Sequence, residues 1–165
     1  MRRRFVLLAA GVAVAFAAAA DAAEWGLIRP GVSGTEAVRA RYGAPSRVDR
    51  PTIEGYDTET WIYEGAQAPV GVERLTVEFG LMQDEKFRSE IVRAFRLEPR
   101  PGTFNRGVVT NGWGFPDRMG HEAGRDIFLY REGLLVYFDE TGWNATLMIF
   151  TVPQPVDPTE EPRRR

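Results

Sequence analysis

The sequence predicts an α+β protein made of two tandem units, each with short helices packed on one face of an antiparallel β-sheet. The two sheets are either separate or joined into one continuous curved sheet. Three observations lead to this. The stretch LIRPGVSGTEAVRARYGAP reads as a lead-in, a capped short helix, a glycine stop and a proline exit, and its Gly31-to-Gly43 spacing returns from Gly102 to Gly114. Each copy is followed by short β-branched and aromatic runs separated by turn residues. The runs after the second copy repeat those after the first in order.

The N-terminus, MRRRFVLLAAGVAVAFAAAADAAEW, has the form of a secretory signal peptide. Arg2 to Arg4 are its basic region, Phe5 to Ala20 its apolar core, and Ala20-Asp21-Ala22 sets small residues at −3 and −1 for cleavage before Ala23. The apolar run is shorter than the roughly 20 residues that span a bilayer. Export places the product in the periplasm, or outside the cell. The chain has 21 basic and 23 acidic residues. Losing Arg2, Arg3, Arg4 and Asp21 doubles the acidic excess from two to four, which argues against nucleic acid as a partner. There is no cysteine, so neither a disulfide nor a direct lipid anchor is expected. The expected organisation is a signal peptide at 1–22, a first unit at 23–98, a second, shorter unit at 99–152 and a disordered tail at 153–165.

In the first unit, Ser33-Gly34-Thr35-Glu36 forms a capping box, and Val38 and Tyr42, four apart, define the buried side of the helix. Gly43 suits the left-handed residue after a helix, and Pro45 blocks its continuation. Strands are expected over residues 60–64, 74–79 and 90–97. Leu75, Val77 and Phe79 alternate with Thr76 and Glu78, the pattern of a strand buried on one face. Pro99 and Pro101 mark the internal boundary. Beyond it, Val109 answers Val38, Trp113 answers Tyr42 and Gly114 answers Gly43. Phe128-Leu129-Tyr130 answers Trp61-Ile62-Tyr63, residues 134–138 answer 75–79, and 146–150 answer 91–95. That order predicts a degenerate tandem duplication. Glu132-Gly133 reads as a two-residue hairpin turn, with Asp139 to Gly142 closing the next hairpin.

The series GVSGTEAVRARYGAPSR, TWIYE and RLTVEF resembles the SmpA/OmlA family, the BamE-type accessory proteins of outer-membrane assembly, over residues 27–97. Two such units in one chain resemble the β-lactamase inhibitor protein architecture. The resemblance implies binding, with helices behind the sheet and a partner in front. The chain departs from both families in lacking cysteine, which the first acylates and the second pairs in disulfides.

With the two-residue turn, one sheet face carries Phe128, Tyr130, Leu135 and Tyr137. Met148 and Phe150 join it from the next strand, and the repeat adds Trp61, Tyr63, Arg93 and Phe95. These ten residues are the expected protein-binding face, since aromatics with arginine form the composition of recognition surfaces. A three-residue turn would slip the register by one and exchange the two faces. The expected function is non-enzymatic: a periplasmic module for envelope or outer-membrane assembly and integrity. It would bind another envelope protein, as a monomer or weak homodimer and without a cofactor. Inhibition of an envelope or secreted hydrolase is the variant within that class. The alternative is a small envelope hydrolase with carboxylates, Glu122 and Asp126, around His121, the single histidine.

Overall fold

The computed structural model describes residues 22–153. The expected signal peptide, apart from Ala22, and the expected tail beyond Pro153 lie outside the described residues. The chain forms helix α1 (Thr35–Tyr42), strand β1 (Arg47–Asp49), a small hairpin of β2 (Thr52–Ile53) and β3 (Tyr56–Asp57), then β4 (Thr60–Glu64), β5 (Val72–Gln83) and β6 (Lys86–Pro99). Helix α2 (Arg106–Trp113) follows, with β7 (Arg118–Glu122), β8 (Arg125–Tyr130), β9 (Leu134–Phe138) and β10 (Ala145–Thr151). Eight of these strands make one antiparallel sheet in the order β1-β4-β5-β6-β10-β9-β8-β7. Each half of the chain therefore runs inward from an edge, and the two last strands meet in the middle.

The α+β expectation is corrected. Half of the structure is strand and 14 % helix, with one eight-stranded sheet. Each α-helix has only eight residues and buries a single one, Val38 or Val109, so the helices do not amount to a packed layer. The fold is mainly antiparallel β. Strand content was underestimated because β5 and β6 extend well past their apolar cores into Gln83, Lys86 and Arg88. They join through Asp84-Glu85, both in left-handed conformation (φ 48° and 61°). Two such residues in succession make the primed turn that suits a tight hairpin, but here no glycine announces it.

The core lies on one side of the sheet. Trp61, Tyr63, Leu75, Val77, Phe79, Phe95, Leu97, Phe128, Leu134, Val136, Phe138, Met148 and Phe150 point into it, and Ala23, Ile28, Val38 and Val109 close it from outside. Trp25, Tyr42 and Trp113 pack against its margin. The two halves repeat its details. The Tyr63 hydroxyl donates to the carbonyl of Gly43 (3.2 Å), and the Tyr130 hydroxyl donates to that of Gly114 (3.1 Å). Each glycine is its helix's C-cap, so each half ties a strand to the end of its own helix. Trp61 meets Phe79 edge-on at 4.8 Å, as Phe128 meets Phe138 at 4.8 Å. Where β6 and β10 pair, Phe95 lies opposite Phe150 and the rings stack at 4.4 Å.

The caps differ from expectation. Gly34 is the N-cap of α1 and makes no side-chain bond, while Ser33 Oγ accepts from the amide of Arg29 (2.9 Å). Instead α2 has the side-chain cap: Asn105 Oδ1 accepts from the Val108 amide at 3.0 Å.

Candidate functional site

The turn between β8 and β9 decides which residues face the core. It has three residues, Arg131, Glu132 and Gly133, so Tyr130 pairs with Leu134 and Phe128 with Val136. The Gly133 amide donates to the Tyr130 carbonyl (3.0 Å), and its φ is +90°. A left-handed glycine in third position is the usual end of a three-residue hairpin loop. Strand β8 is therefore turned over against β9 relative to the two-residue reading. Of the ten residues expected on the binding face, Trp61, Tyr63, Phe95, Phe128, Tyr130, Met148 and Phe150 are buried in the core. Arg93, Leu135 and Tyr137 remain on the open side.

That open side carries rows of side chains running across the strands. Successive pairings join Arg118, Leu129, Leu135, Ile149, Arg96, Thr76, Ile62 and Arg47 into one row spanning all eight strands. A second row holds Gly120, Ile127, Tyr137 and Leu147. Ile62, Ala94 and Ile127 are buried yet lie outside the core cluster, shielded by their neighbours on this face. Leu129, Leu135, Tyr137, Leu147 and Ile149 are half-buried. The open side thus divides into an apolar field on β8–β10 and a charged field on β4–β6.

The charged field is internally balanced. Glu78 accepts from Arg93 (2.9 Å) and Arg96 (2.9 Å), while Arg74 bridges Glu64 (3.1 Å) and Glu98 (3.2 Å). The Arg74 pairs are open to water, where each contributes little stability, while Glu78 is largely covered by its two arginines. Their effect is to leave a neutral margin with oriented donors beside the apolar field. Leu129, Leu147, Ile149, Arg96 and Glu78 complete the site. Gly133 in third position is the signal that assigns Leu129, while the register shift between Ala145 and Leu147 turns Leu147 and Ile149 to this side.

The residues of the hydrolase alternative form a different structure. His121 Nδ1 lies 3.0 Å from Asp126 Oδ1 across the β7–β8 ladder. The other Asp126 oxygen is held by Arg106, whose guanidinium also donates to the Gly142 carbonyl and covers the rings of Phe128 (4.9 Å) and Phe138 (4.8 Å). The His121 hydrogen bond, with the Arg106 charge adding to it, keeps the Asp126 carboxyl below the usual aspartate range against a partial desolvation cost. Glu122 sits opposite Arg125, beside the turn. Among the described residues His121 is bonded to no hydroxyl. It works as a clasp on the hairpin. Among the described residues no three metal-ligating side chains gather, and no helix is long and apolar enough to cross a membrane. On the core side, a cleft of about 620 Å³ lies at the junction of the halves, lined by Trp25, Arg41, Trp113, Tyr130 and Glu132 among others.

No family model matches the chain, and no curated protein does. Among solved structures, it is similar to the crystal structure of a DUF4309 family protein (YjgB) from Bacillus subtilis subsp. subtilis str. 168. That similarity has 12% sequence identity and a TM-score of 0.44, and covers 76% of this chain and 82% of that one.

Proposed function

We propose that the protein is a non-enzymatic periplasmic binding module for envelope or outer-membrane assembly, and that it contacts a partner protein through the open side of β8–β10. One observation carries the reading. Strand β9 answers β5 residue for residue, and on the core side the match is identity: Leu75 with Leu134, Val77 with Val136, Phe79 with Phe138. On the open side Thr76 is answered by Leu135 and Glu78 by Tyr137. The first half shows that this fold accepts polar groups there. Apolar groups in the second half are therefore not a requirement of folding, and a half-exposed apolar field beside oriented arginines has the make-up of an interface. The partner presents an apolar centre to Leu135, Tyr137, Leu147 and Ile149, with acceptors toward Arg93 and Arg96. The export-type N-terminus supports the periplasmic setting.

A photoreactive phenylalanine at Tyr137, introduced into the exported protein in cells, tests this. It should give an adduct with one heterologous envelope protein, and Leu135→Arg in the same chain should abolish it. No adduct, or an adduct unchanged by Leu135→Arg, would overturn the reading.

A further inference from the structure

The two edges of the sheet are finished differently. Strand β1 has three residues, Pro45 and Pro51 flank it, and its Arg47 and Asp49 pair with each other at 3.2 Å. Short length, prolines and local charge pairing are the usual means of blunting an edge. Strand β7 is longer, and a proline, Pro116, flanks it on one side only. Its five residues, Arg118-Met119-Gly120-His121-Glu122, are all exposed, and no strand pairs with its outer side among the described residues. Beside it stand two large apolar side chains in water, Met119 (73% exposed) and Phe115 (91%). Glu122 forms no ion pair among the described residues, although its ladder partner is Arg125.

We propose that β7 pairs with β7 of a second copy of this chain, antiparallel and centred on Gly120. The strand is self-complementary in that register. Arg118 of each copy faces Glu122 of the other, Met119 faces His121, and Gly120 faces Gly120. Opposed residues in an antiparallel pair point to the same side of the sheet. Arg118 and Glu122 therefore meet on the open side at both ends of the strand, where opposite charges favour the pairing and like charges oppose it. A guanidinium has five donors, so Arg118 can serve this carboxylate together with its contact in its own chain. Met119 stands on the core side, over the junction. The central glycine leaves no side chain on the two-fold axis. The result is a sixteen-stranded sheet whose two open sides face the same way, which doubles the proposed binding field without covering it. A five-residue edge buries less than the about 1,200 Å² of a standard interface, so the dimer forms and separates readily.

A charge exchange tests the register. In a sedimentation-velocity concentration series the wild type should dimerise. Arg118→Glu and Glu122→Arg should each weaken the dimer by about tenfold or more, because each places like charges opposite one another twice. Mixed one to one, the two variants should associate again, since the all-acidic strand of one faces the all-basic strand of the other. A monomeric wild type at every concentration, dimers indifferent to both reversals, or a mixture that stays monomeric would overturn the proposal. Should Arg118→Glu lose its fold on far-ultraviolet circular dichroism, a second reading stands apart from it. The chain has no cysteine, and a Cβ at Gly120 meets only Leu129 Cδ1 at an ordinary 3.7 Å. Gly120→Cys should therefore oxidise to a disulfide-linked dimer much faster than Val108→Cys on α2. Equal rates would sink the register.

Discussion

Two tyrosines seven residues apart carry the register of the sheet, and truncating each in turn measures it. Tyr130 is 6% exposed, and its hydroxyl donates to the Gly114 carbonyl. Tyr137 stands on the open side opposite Ile127 and Leu147. Tyr130→Ala removes a buried ring, at a cost of about 3–5 kcal/mol, and frees the end of α2. For a domain of this size that corresponds to a fall in Tm of about 10–20 °C. Tyr130→Phe keeps the ring and loses one hydrogen bond, about 1 kcal/mol or about 4 °C. Tyr137→Ala removes a half-exposed side chain and should cost about 1 kcal/mol or less. Thermal melts followed by circular dichroism, with urea midpoints alongside, give all three values. A Tyr137→Ala protein that melts as low as Tyr130→Ala, or lower, would show that the turn has two residues and the faces are reversed. The binding face would then have to be rebuilt on the opposite side of β9, from Leu134 and Val136.

Gly133→Ala attacks the same turn from the backbone: φ is +90°, and a Cβ would lie 2.3 Å from the Thr151 carbonyl oxygen. The loss should be at least about 2 kcal/mol in urea, and a neutral result would mean the loop closes in another way. Alkali gives an independent measure of burial. Tyr42, Tyr63 and Tyr130 are each pushed up from 10.0 to about 12, chiefly by desolvation. The folded state holds these protons where the unfolded chain has released them. Stability should therefore be level below pH 10 and decline as pH rises toward 12. Phenolate absorbance against pH should show late ionisation coincident with unfolding; if all five tyrosines ionised near 10 with the fold intact, the buried positions would be wrong.

How much of this was readable follows from the length scale of each signal. Gly43 and Gly114 end the helices and Val38 and Val109 enter the core because each is set by a few adjacent residues. The inner runs of the strands were readable for the same reason, as was the hairpin through Asp139 to Gly142. The class was not readable, because it depends on how far the β5–β6 hairpin extends, and its outer part is charged and turns on Asp84-Glu85. The capping box at Ser33 failed because the hydroxyl had a nearer donor in Arg29. The binding face failed for local reasons: one residue of turn length turns β8 over against β9, and a register shift between Ala145 and Leu147 does the same to β10. Aromatic content, which pointed to recognition, here marks the core. The proposed site lies among leucines and isoleucines that looked like core.

The pairing of β6 with β10 explains why the two halves stand as one sheet. Each half alone would leave its innermost strand as a free edge, and β6 has 14 residues, long enough to recruit another chain. Each would also leave its central phenylalanine, Phe95 or Phe150, without the ring that stacks on it. Joining the halves covers both edges and pairs both rings, so each half supplies what the other lacks. It also sets β1 and β7 at the periphery, where they are free to diverge. Strand β1 is short, proline-flanked on both sides and internally paired, and β7 is longer and exposed along its whole length. The core side remained under the same packing demand in both halves and kept Leu, Val and Phe at matched positions. The open side was under no such demand, and there the halves parted into a charged field and an apolar one. Folding places equal demands on the matched core positions of the two halves, and their differences fall on the open side of β8–β10 and on the edge beside it.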